Sequence, residues 1–460
     1  MARNYRTWCQ PRPDRAHTAP AVGSMPIFAG HKMARNFERD EPPHTPGLMP
    51  TKKHLRILWW AMVIGGPAVL KLFFLRADQV FETYTAALDL VATGQFGHHY
   101  FGTWDRSFQL PVHTALVALF HLVGLGTTSI LVFQVGCGAL TALLVHRMAL
   151  HLLRGTPYAG GVAWVSALLT GLNPFMAYYQ VRMVHPFAWD TLLAIALLYG
   201  SLTADPARRP TVVALFALGG LALLNRPTLG VFLLPFALRH TRSMLSMWRP
   251  MSLAVLFLLL FGPLGGWVIR NHAVTGRYQI TSVTDQLTWI GLQESTEGAG
   301  HLADGRSYWH LLCPAECVLM FSMDTPERSA FFKAKWEAET RADPSLRWRM
   351  LGVKLRNFWL FRSHAGLGHT TAMAWGVVLF KWYAAALLLL LLAQAVVFRH
   401  PGLLLVITSV AALSLIQCMF YFETRHRLLA EPLLMMVGVA TMAMLLDRWR
   451  RRPGKGVIHA

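Results

Sequence analysis

Long apolar runs recur along most of the chain and are separated by short polar segments. Runs of roughly 18 or more apolar residues are typical of membrane-crossing helices, which must span about 30 Å of hydrocarbon. The pattern therefore predicts an all-α polytopic membrane protein. The eleven candidate segments lie near 57–75, 110–124, 127–146, 158–173, 187–203, 211–224, 226–238, 250–269, 373–397, 402–421 and 428–446.

The polar segments between these runs differ in charge, and the difference predicts a topology. Basic clusters lie at 146–155, 205–210, 239–249 and 399–401, and both ends of the chain are basic. Lys and Arg accumulate in cytoplasmic loops. All the clusters fall on one side if 110–124, which has a Pro, two His and few apolar residues, is an interfacial helix. We therefore expect about ten spans, within a range of nine to twelve, and two cytoplasmic termini.

This topology divides the chain into regions. The first fifty residues are rich in Pro, Arg and His without periodicity, which is typical of disorder. In the large external loop, the aromatic and basic stretch at 328–362 predicts an amphipathic helix on the outer leaflet. The expected regions are a disordered basic tail at 1–50, a membrane domain at 51–270 with a first external loop at 76–126, an external loop or subdomain at 271–372, membrane helices at 373–447 and a basic cytoplasmic tail at 448–460.

Composition narrows the class of protein further. The 460 residues are 54% hydrophobic and 14% charged, whereas soluble domains are about one quarter charged. The net charge of +20 lies in short clusters beside apolar helices. Such clusters orient membrane helices, so they predict topology and no nucleic-acid partner.

Metal and cofactor motifs are not found in the sequence. The five cysteines show no zinc or disulfide spacing, although Cys313 and Cys317 in the large external loop form either a local disulfide or two free thiols. The histidines lack paired ligand spacing. No P-loop, dinucleotide fingerprint, zinc-protease motif or nucleophile elbow occurs. We expect no built-in metal and no required cofactor.

The first external loop carries acids in a chain that has few. Asp78 and Glu82 are four residues apart, so on a helix they would share a face. Partial burial at a membrane surface raises the pKa of a carboxylate toward the working pH, which suits a general base. The alternative is that both are solvated charges at a helix N-terminus. The spacing leaves both interpretations open.

Several cations lie at the outer ends of apolar segments, where the positive-inside rule disfavours them. Such a side chain often only reaches toward lipid headgroups. Converging arginines would instead suit a phosphate or diphosphate leaving group, because the guanidinium matches phosphate oxygens. Arg226, between Asn225 and Pro227, indicates an interrupted helix over a cavity. The other candidates are Arg182, His185, Arg270, His272, Arg425, His426 and Arg427, with Asp190 in the first turn of a span as a lesser candidate.

Several stretches form an ordered set: FETYTAALDLVATGQFG with LPVHTALVALFHLVG, then GLALLNRPTLGVFLLPFAL, then WVIRNHAVTG, and finally RADPSLRWRMLGVKLRNFWLF and RHRLLAEP. In this order they resemble the GT-C class of membrane glycosyltransferases that use polyprenyl-phosphate sugars, which includes protein O-mannosyltransferases and lipid A aminoarabinose transferases. The last stretch resembles the family's closing motif, with His426 at the usual Tyr and Leu429 at the first Pro. The resemblance covers about residues 57–446.

The resemblance implies an inverting sugar transfer at the outer face of the bacterial inner membrane, with a first-loop carboxylate as base. Many members have adjacent Asp and Glu there, whereas this chain has Asp78 followed by Gln79. Glu82 is in register with Ala87 and Gly94 of the members that have a single Glu, while Asp78 lies nearer the membrane. Both stay candidates, and Asp89 is expected on the helix surface.

The remaining roles follow from the same resemblance. The donor would be an undecaprenyl-phosphate sugar, and the acceptor a lipid, an envelope polysaccharide or a protein. A divalent cation could assist at the phosphate, as in some relatives. The rival function is a transporter or lipid flippase, which the long external loop and the lack of an internal repeat disfavour. The phosphate-binding candidates are Arg270, Arg425, Arg427, Arg226, His426 and Asn271, and 105–111 with the large loop would shape the acceptor site.

Overall fold

The computed structural model describes residues 57–451 apart from 101, 303, 305 and 361–370. The predicted tail at 1–50 and most of the predicted tail at 448–460 lie outside this part of the chain. The helices of the first half follow one another closely. They are α1 (Ile57–Leu72), α2 (Glu82–Thr93), α3 (Pro111–Leu122), α4 (Thr127–Leu152), α5 (Ala159–Leu172), α6 (Pro174–Val181), α7 (Phe187–Thr203), α8 (Arg209–Asn225), α9 (Leu234–Met247) and α10 (Pro250–Thr275).

The second half begins with short external helices and ends with long apolar ones. Among the described residues, four 3-10 helices, Pro227–Leu233, Glu294–Thr296, Tyr308–Leu311 and Thr424–Leu429, interrupt the sequence of α-helices. Two π-helices occur as well, Ala61–Gly65 within α1 and Gln394–Phe398 directly after Ala393. The remaining helices are α11 (Thr284–Ile290), α12 (Pro314–Ser322), α13 (Thr325–Ala342), α14 (Leu346–Leu360), α15 (Thr371–Ala393), α16 (Pro401–Met419) and α17 (Glu431–Arg450).

Strands are short and lie only in the connections. β1 (Gln79–Val80) pairs in parallel with β4 (Met183–Val184), which ties the first external loop to the segment before α7. β2 (His98–Tyr100) and β3 (Thr103–Asp105) form an antiparallel hairpin. These pairs fix the path of the first external loop without adding a sheet to the fold.

Within the described part of the chain, five helices are long and apolar enough to cross a membrane: α4, α10, α16, α17 and the segment Trp375–Phe398, which includes most of α15. Five shorter apolar helices, α1, α3, α5, α7 and α8, accompany them. The predicted all-α polytopic membrane fold is thereby confirmed. The number of helices that cross and the side on which the termini lie stay predictions. The expected segment at 226–238 is a 3-10 turn that continues into the partly basic α9.

The main hydrophobic core lies between α4, α5, α7, α8, α16 and α17. Close approach of two helices depends on Gly220 of α8, because a Cβ there would overlap the backbone carbonyl of Leu259 in α10. Most apolar side chains of α10 are not covered by the protein, whereas more than half of α17's apolar window is. In a chain of this composition, the uncovered face of α10 is the face that suits lipid.

The large external loop forms a small core of its own between α11, α12 and α13, centred on Trp289, Met320 and Phe332. The stretch expected to be an amphipathic helix, 328–362, forms two helices over its described residues, and its place on the outer leaflet stays a prediction. The two helices are divided at Asp343, the residue after α13, whose carboxylate accepts a hydrogen bond from the backbone amide of Ser345 at 3.0 Å. Both resulting helices bury a face against protein, α13 in this core and α14 against α16.

A buried ion pair joins the two external loops. Asp105 of β3 lies 3.5 Å from the guanidinium of Arg328 in α13, and both side chains are almost fully buried. Ser282 donates a hydrogen bond of 2.6 Å to the same carboxylate, and Arg328 donates to Thr103 at 3.2 Å. Because a buried charge is costly unless it is paired, these contacts hold the hairpin firmly against the external core.

Candidate active site

A cavity of about 440 Å³ lies where the loop predicted to be the first external one, the ends of two bundle helices and the core around Trp289 meet. α2 contributes to its wall from the first loop, α7 and α8 from the bundle, and α11 from the external core. The 3-10 helix Thr424–Leu429 contributes from the other side. The charged and polar residues that line it include Glu82, Tyr100, His113, His185, Asp190, Asn225, Arg226, Gln286, Tyr308, Gln417, Tyr421, Arg425 and His426.

Glu82 is the first residue of α2 and lines this cavity. Its partly buried carboxylate lies at a helix N-terminus, and within the described ranges no cation approaches it closely enough for an ion pair. Burial raises the pKa of the carboxyl, while its own backbone amide and the charge of Arg425 oppose that rise. A carboxylate in this setting has a stronger tendency to take up a proton than one in water, which is the property a general base needs.

Asp78 does not line the cavity and does not share a helix face with Glu82. The chain is extended from Gln79 to Phe81, so the helix begins only at Glu82 and the expected four-residue spacing does not apply. The exposed Asp78 carboxylate lies between two guanidiniums, 3.0 Å from Arg76 and 3.2 Å from Arg182. Its local partners therefore account for its charge.

Arg425 extends from the 3-10 helix Thr424–Leu429 into the cavity wall. Its Nε lies 2.6 Å from a carboxylate oxygen of Glu423, and the guanidinium carbon is 5.1 Å from the ring centre of Phe81, the residue before Glu82. The Glu423 carboxylate also accepts a hydrogen bond from the hydroxyl of Tyr421. These contacts orient one face of the guanidinium and place its charge beside Glu82.

Arg226 lies at the predicted interruption of the helix. α8 ends at Asn225, Arg226 is extended, and the following 3-10 helix begins at Pro227. The guanidinium lies 3.0 Å from Asp190, which also accepts a 2.6 Å hydrogen bond from Asn225. Asp190 is buried in the first turn of α7. The acid considered a lesser candidate therefore orients Arg226 at the cavity wall.

His426 is buried behind the two arginines. Its Nδ1 lies 3.2 Å from the side-chain amide of Gln417 and 3.2 Å from the backbone amide of Glu423. Burial, reinforced by the charges of Arg226 and Arg425, lowers the pKa of His426 well below its usual value. A neutral imidazole with these partners shapes the turn and adds no positive charge.

Three of the predicted phosphate ligands are placed elsewhere. Arg427 is buried and lies 2.5 Å from Glu431, the first residue of α17, and it also donates to the carbonyl of Phe358. Arg270 donates to the backbone carbonyls of Arg106 and Phe96. Asn271 donates to the carbonyls of Gln279 and Ile280, which fixes the chain after α10. None of the three lines the cavity around Glu82, and their predicted roles stay predictions.

Several cavity residues were not singled out from the sequence. Tyr100 and Tyr308 both accept hydrogen bonds from the side-chain amide of Gln286, which brings the hairpin and the external core together. Burial raises the pKa of Tyr100 to about 12, so its hydroxyl stays protonated at neutral pH. Nothing in the local sequence marks these residues, because they come from distant segments and form a hydrogen-bond network only once the chain has folded.

Two carboxylates line the cavity, those of Glu82 and Asp190. Among the described residues, no group of three or more His, Cys, Asp or Glu side chains is placed to hold a metal ion. Both carboxylate oxygens of Asp190 already accept hydrogen bonds, from Asn225 and Arg226, which leaves Glu82 as the available carboxylate. In the external loop, Cys313 and Cys317 are free thiols.

Comparison with known proteins gives only distant likenesses. No family model and no curated protein matches the chain. ArnT from Cupriavidus metallidurans bound to undecaprenyl phosphate is 14% identical, with 84% of this chain and 76% of that chain covered at a TM-score of 0.40. The apo state of the same protein is 14% identical, with 85% and 77% covered at a TM-score of 0.37. A likeness at this distance does not assign an activity.

Proposed function

We propose that the chain is an integral-membrane glycosyltransferase that moves a sugar from a polyprenyl phosphate, such as undecaprenyl phosphate, to an acceptor at the outer face of the bacterial inner membrane. The observation that supports this most directly is the meeting of Glu82, Arg425 and Arg226 in one cavity. A base and two anion-stabilising groups are the parts that sugar transfer from a lipid phosphate requires. The sequence resemblance independently implies a first-loop carboxylate.

In the proposed reaction, Glu82 accepts the proton of an acceptor hydroxyl or amine as that atom attacks the anomeric carbon. The bond between this carbon and the phosphate oxygen breaks, and the lipid phosphate leaves with the electron pair. Arg425 and Arg226 stabilise the charge that develops on the phosphate, since charge-assisted hydrogen bonds from guanidinium match its oxygens. Attack opposite the leaving group inverts the anomeric centre.

The side chains of the two arginines are held by different numbers of protein contacts. Arg226 is fixed by buried Asp190 and by a 3.4 Å hydrogen bond to Gln417, whereas Arg425 has one carboxylate partner, Glu423. Each keeps some guanidinium surface toward the cavity, with about a fifth to a quarter of the side chain exposed (18% for Arg226 and 24% for Arg425). We assign Arg425, the nearer to Phe81 and Glu82, the larger part in stabilising the leaving phosphate.

The test is turnover of a defined donor. Full-length protein in lipid nanodiscs is incubated with undecaprenyl phosphates that carry different radiolabelled sugars, with and without envelope lipids as acceptors, and the label is followed by extraction and chromatography. We expect transfer, or slow hydrolysis when no acceptor is present, with at least one donor. Glu82→Gln should abolish this transfer. Asp89→Asn, which removes an acid about two turns along the same helix, should not.

The same preparation separates the enzyme from a transporter. In sealed proteoliposomes, a flippase would move labelled lipid between leaflets and leave the sugar–phosphate bond intact. Intact donor with every sugar, together with leaflet exchange above the protein-free rate, would refute the glycosyltransferase and favour transport. Bond cleavage that depends on Glu82 would refute transport as the primary activity.

A further inference from the structure

A second polar site lies away from the cavity of Glu82, in a groove of about 600 Å³ between α14 and α15. It shares no lining residue with that cavity. Arg356 and Asn357 line it from α14, and Lys381 and Trp382 line it from α15. The groove therefore lies where an apolar helix leaves the large external loop.

Lys381 is the unusual member of this groove. It lies seven residues into the apolar segment Trp375–Phe398, which is long and apolar enough to cross a membrane. Charged side chains inside such segments are costly and are normally paired. Across the residues that the structure describes, the Lys381 ammonium has no hydrogen bond or ion pair. An ammonium in this position can take an anionic ligand.

The other charges of the groove already have protein partners. Glu297 lies 3.3 Å from the guanidinium of Arg356 and accepts a 3.0 Å hydrogen bond from the side-chain amide of Asn357. The lining thus holds two cations and one carboxylate, and that carboxylate is oriented toward α14. Lys381 adds a second cation beside this pair, so the described lining favours an anion.

The remaining walls are apolar and open toward the outside of the bundle. Val378 and Ala385 lie one turn to either side of Lys381, and Trp382 is 73% exposed. Tryptophan concentrates at the membrane interface, where its ring sits at headgroup depth. A small soluble anion would gain nothing from this apolar surface, whereas a molecule with an anionic head and an alkyl chain would contact both parts.

We propose that this groove binds the phosphate of a membrane lipid, with Lys381 and the free face of Arg356 on the phosphate oxygens and the first acyl or prenyl carbons along Val378, Trp382 and Ala385. The same chemistry is offered by an anionic phospholipid and by a polyprenyl phosphate. The site is independent of the proposed sugar transfer, since it needs neither Glu82 nor Arg425.

Native mass spectrometry of the full-length protein, exchanged into detergent with added lipid, measures the binding. The arms are phosphatidylglycerol, undecaprenyl phosphate and, as a zwitterionic reference, phosphatidylcholine. We expect both anionic lipids to bind more tightly than phosphatidylcholine, and Lys381→Gln to weaken them by about fivefold, the size expected for one basic side chain at an anionic lipid surface. Lys381→Arg should retain the binding.

Lys333→Gln provides the charge-matched control, because Lys333 is an exposed lysine on α13 whose ammonium is 3.9 Å from Glu337. Weakening for phosphatidylglycerol and undecaprenyl phosphate alike supports a general lipid-phosphate site, and weakening for undecaprenyl phosphate alone supports a carrier-lipid site. Equal binding by wild type and Lys381→Gln, or no preference over phosphatidylcholine, overturns the proposal. Unchanged binding of phosphatidylcholine by Lys381→Gln shows that its loss of anionic lipid is not due to misfolding.

Discussion

Asp78 and Glu82 lie four residues apart at the start of the same external loop, yet their surroundings are opposite. Asp78 is exposed and lies between Arg76 and Arg182, whereas Glu82 is partly buried in a cavity with Arg425 nearby but not paired to it. A carboxylate with two adjacent guanidiniums has its charge neutralised in place. One that is buried without a direct partner remains available to a substrate proton.

The same contrast recurs in the 3-10 helix on the other side of the cavity. Arg425 keeps about a quarter of its side chain exposed and faces the cavity, while Arg427, two residues on, is almost completely buried against Glu431. One turn of chain therefore supplies one arginine to the candidate site and one to the bundle. In this fold, a charged side chain that is incompletely paired and faces the cavity is available to a substrate, whereas a fully paired one supports the structure.

Replacing each of the two acids by its amide should produce the largest difference in the rate of sugar transfer. Glu82→Gln is expected to lower the rate of sugar transfer by about 10²–10⁴-fold, because it removes a general base. Asp78→Asn should leave the rate within about threefold, since it removes only exposed ion pairs. Initial rates in nanodiscs with saturating donor measure both. Full activity in Glu82→Gln, or an equal loss in both variants, would contradict the assignment.

Removing the two arginines should separate stability from activity. Arg427→Gln leaves the fully buried Glu431 without its cationic partner, a loss that typically costs about 3–5 kcal/mol, although the hydroxyl of Tyr383 still donates to it. We expect a large fall in the temperature of unfolding, measured by size-exclusion chromatography after heating. A variant as stable as wild type would show that Arg427 is not a structural residue.

Arg425→Gln is the matched variant for the cavity. Loss of one group that stabilises developing charge typically lowers kcat by about 10²–10³-fold. Because Arg425 is partly exposed and has a single carboxylate partner, its loss should change the unfolding temperature far less than that of Arg427→Gln. Arg425→Lys should restore part of the rate. A variant that loses stability and activity together would place Arg425 with the structural arginines.

The pH dependence of kcat/KM sharpens the comparison further. The base must be deprotonated to act, and burial raises the pKa of Glu82, so activity should fall with decreasing pH at a midpoint above that of an ordinary glutamate. The charge of Arg425 opposes this rise, so the residual activity of Arg425→Gln should have a midpoint at still higher pH. An unchanged midpoint in that variant would show that Arg425 does not act on Glu82.

The sequence was sufficient for the helical membrane architecture, because long apolar runs and clustered basic residues report local properties. It also indicated the interruption at Arg226, where Asn225 and Pro227 disfavour a continuous helix. The spacing of Asp78 and Glu82 does not distinguish them, because residues four apart share a face only on a helix. The pairing of β1 with β4 directly follows Asp78, so the helix begins only at Glu82. That pairing involves residues about a hundred positions apart.

The opposite placement of Arg425 and Arg427 also lay beyond the sequence. Both follow the same apolar segment, and both match the closing motif of the resemblance. What separates them is the position of Glu431 and of the last turn of α14, whose carbonyls receive the Arg427 guanidinium. The network of Tyr100, Gln286 and Tyr308 likewise comes from three segments whose meeting depends on tertiary packing.

The smallest effect expected is on stability, and it has opposite signs for the two acids. The pKa of Glu82 is raised on folding, so its contribution to stability is greatest below the unfolded pKa and is lost as pH rises through the folded pKa. At neutral pH the wild type therefore bears the cost of a buried carboxylate, and Glu82→Gln should unfold at a slightly higher temperature. Asp78→Asn should lower that temperature slightly, since it loses exposed ion pairs worth about 0–1 kcal/mol.

Unfolding temperatures at neutral and acidic pH measure both differences, and the gain in Glu82→Gln should shrink as the pH falls. A lower unfolding temperature for Glu82→Gln at neutral pH would mean that the carboxylate is held by structural contacts and is not kept free for a substrate.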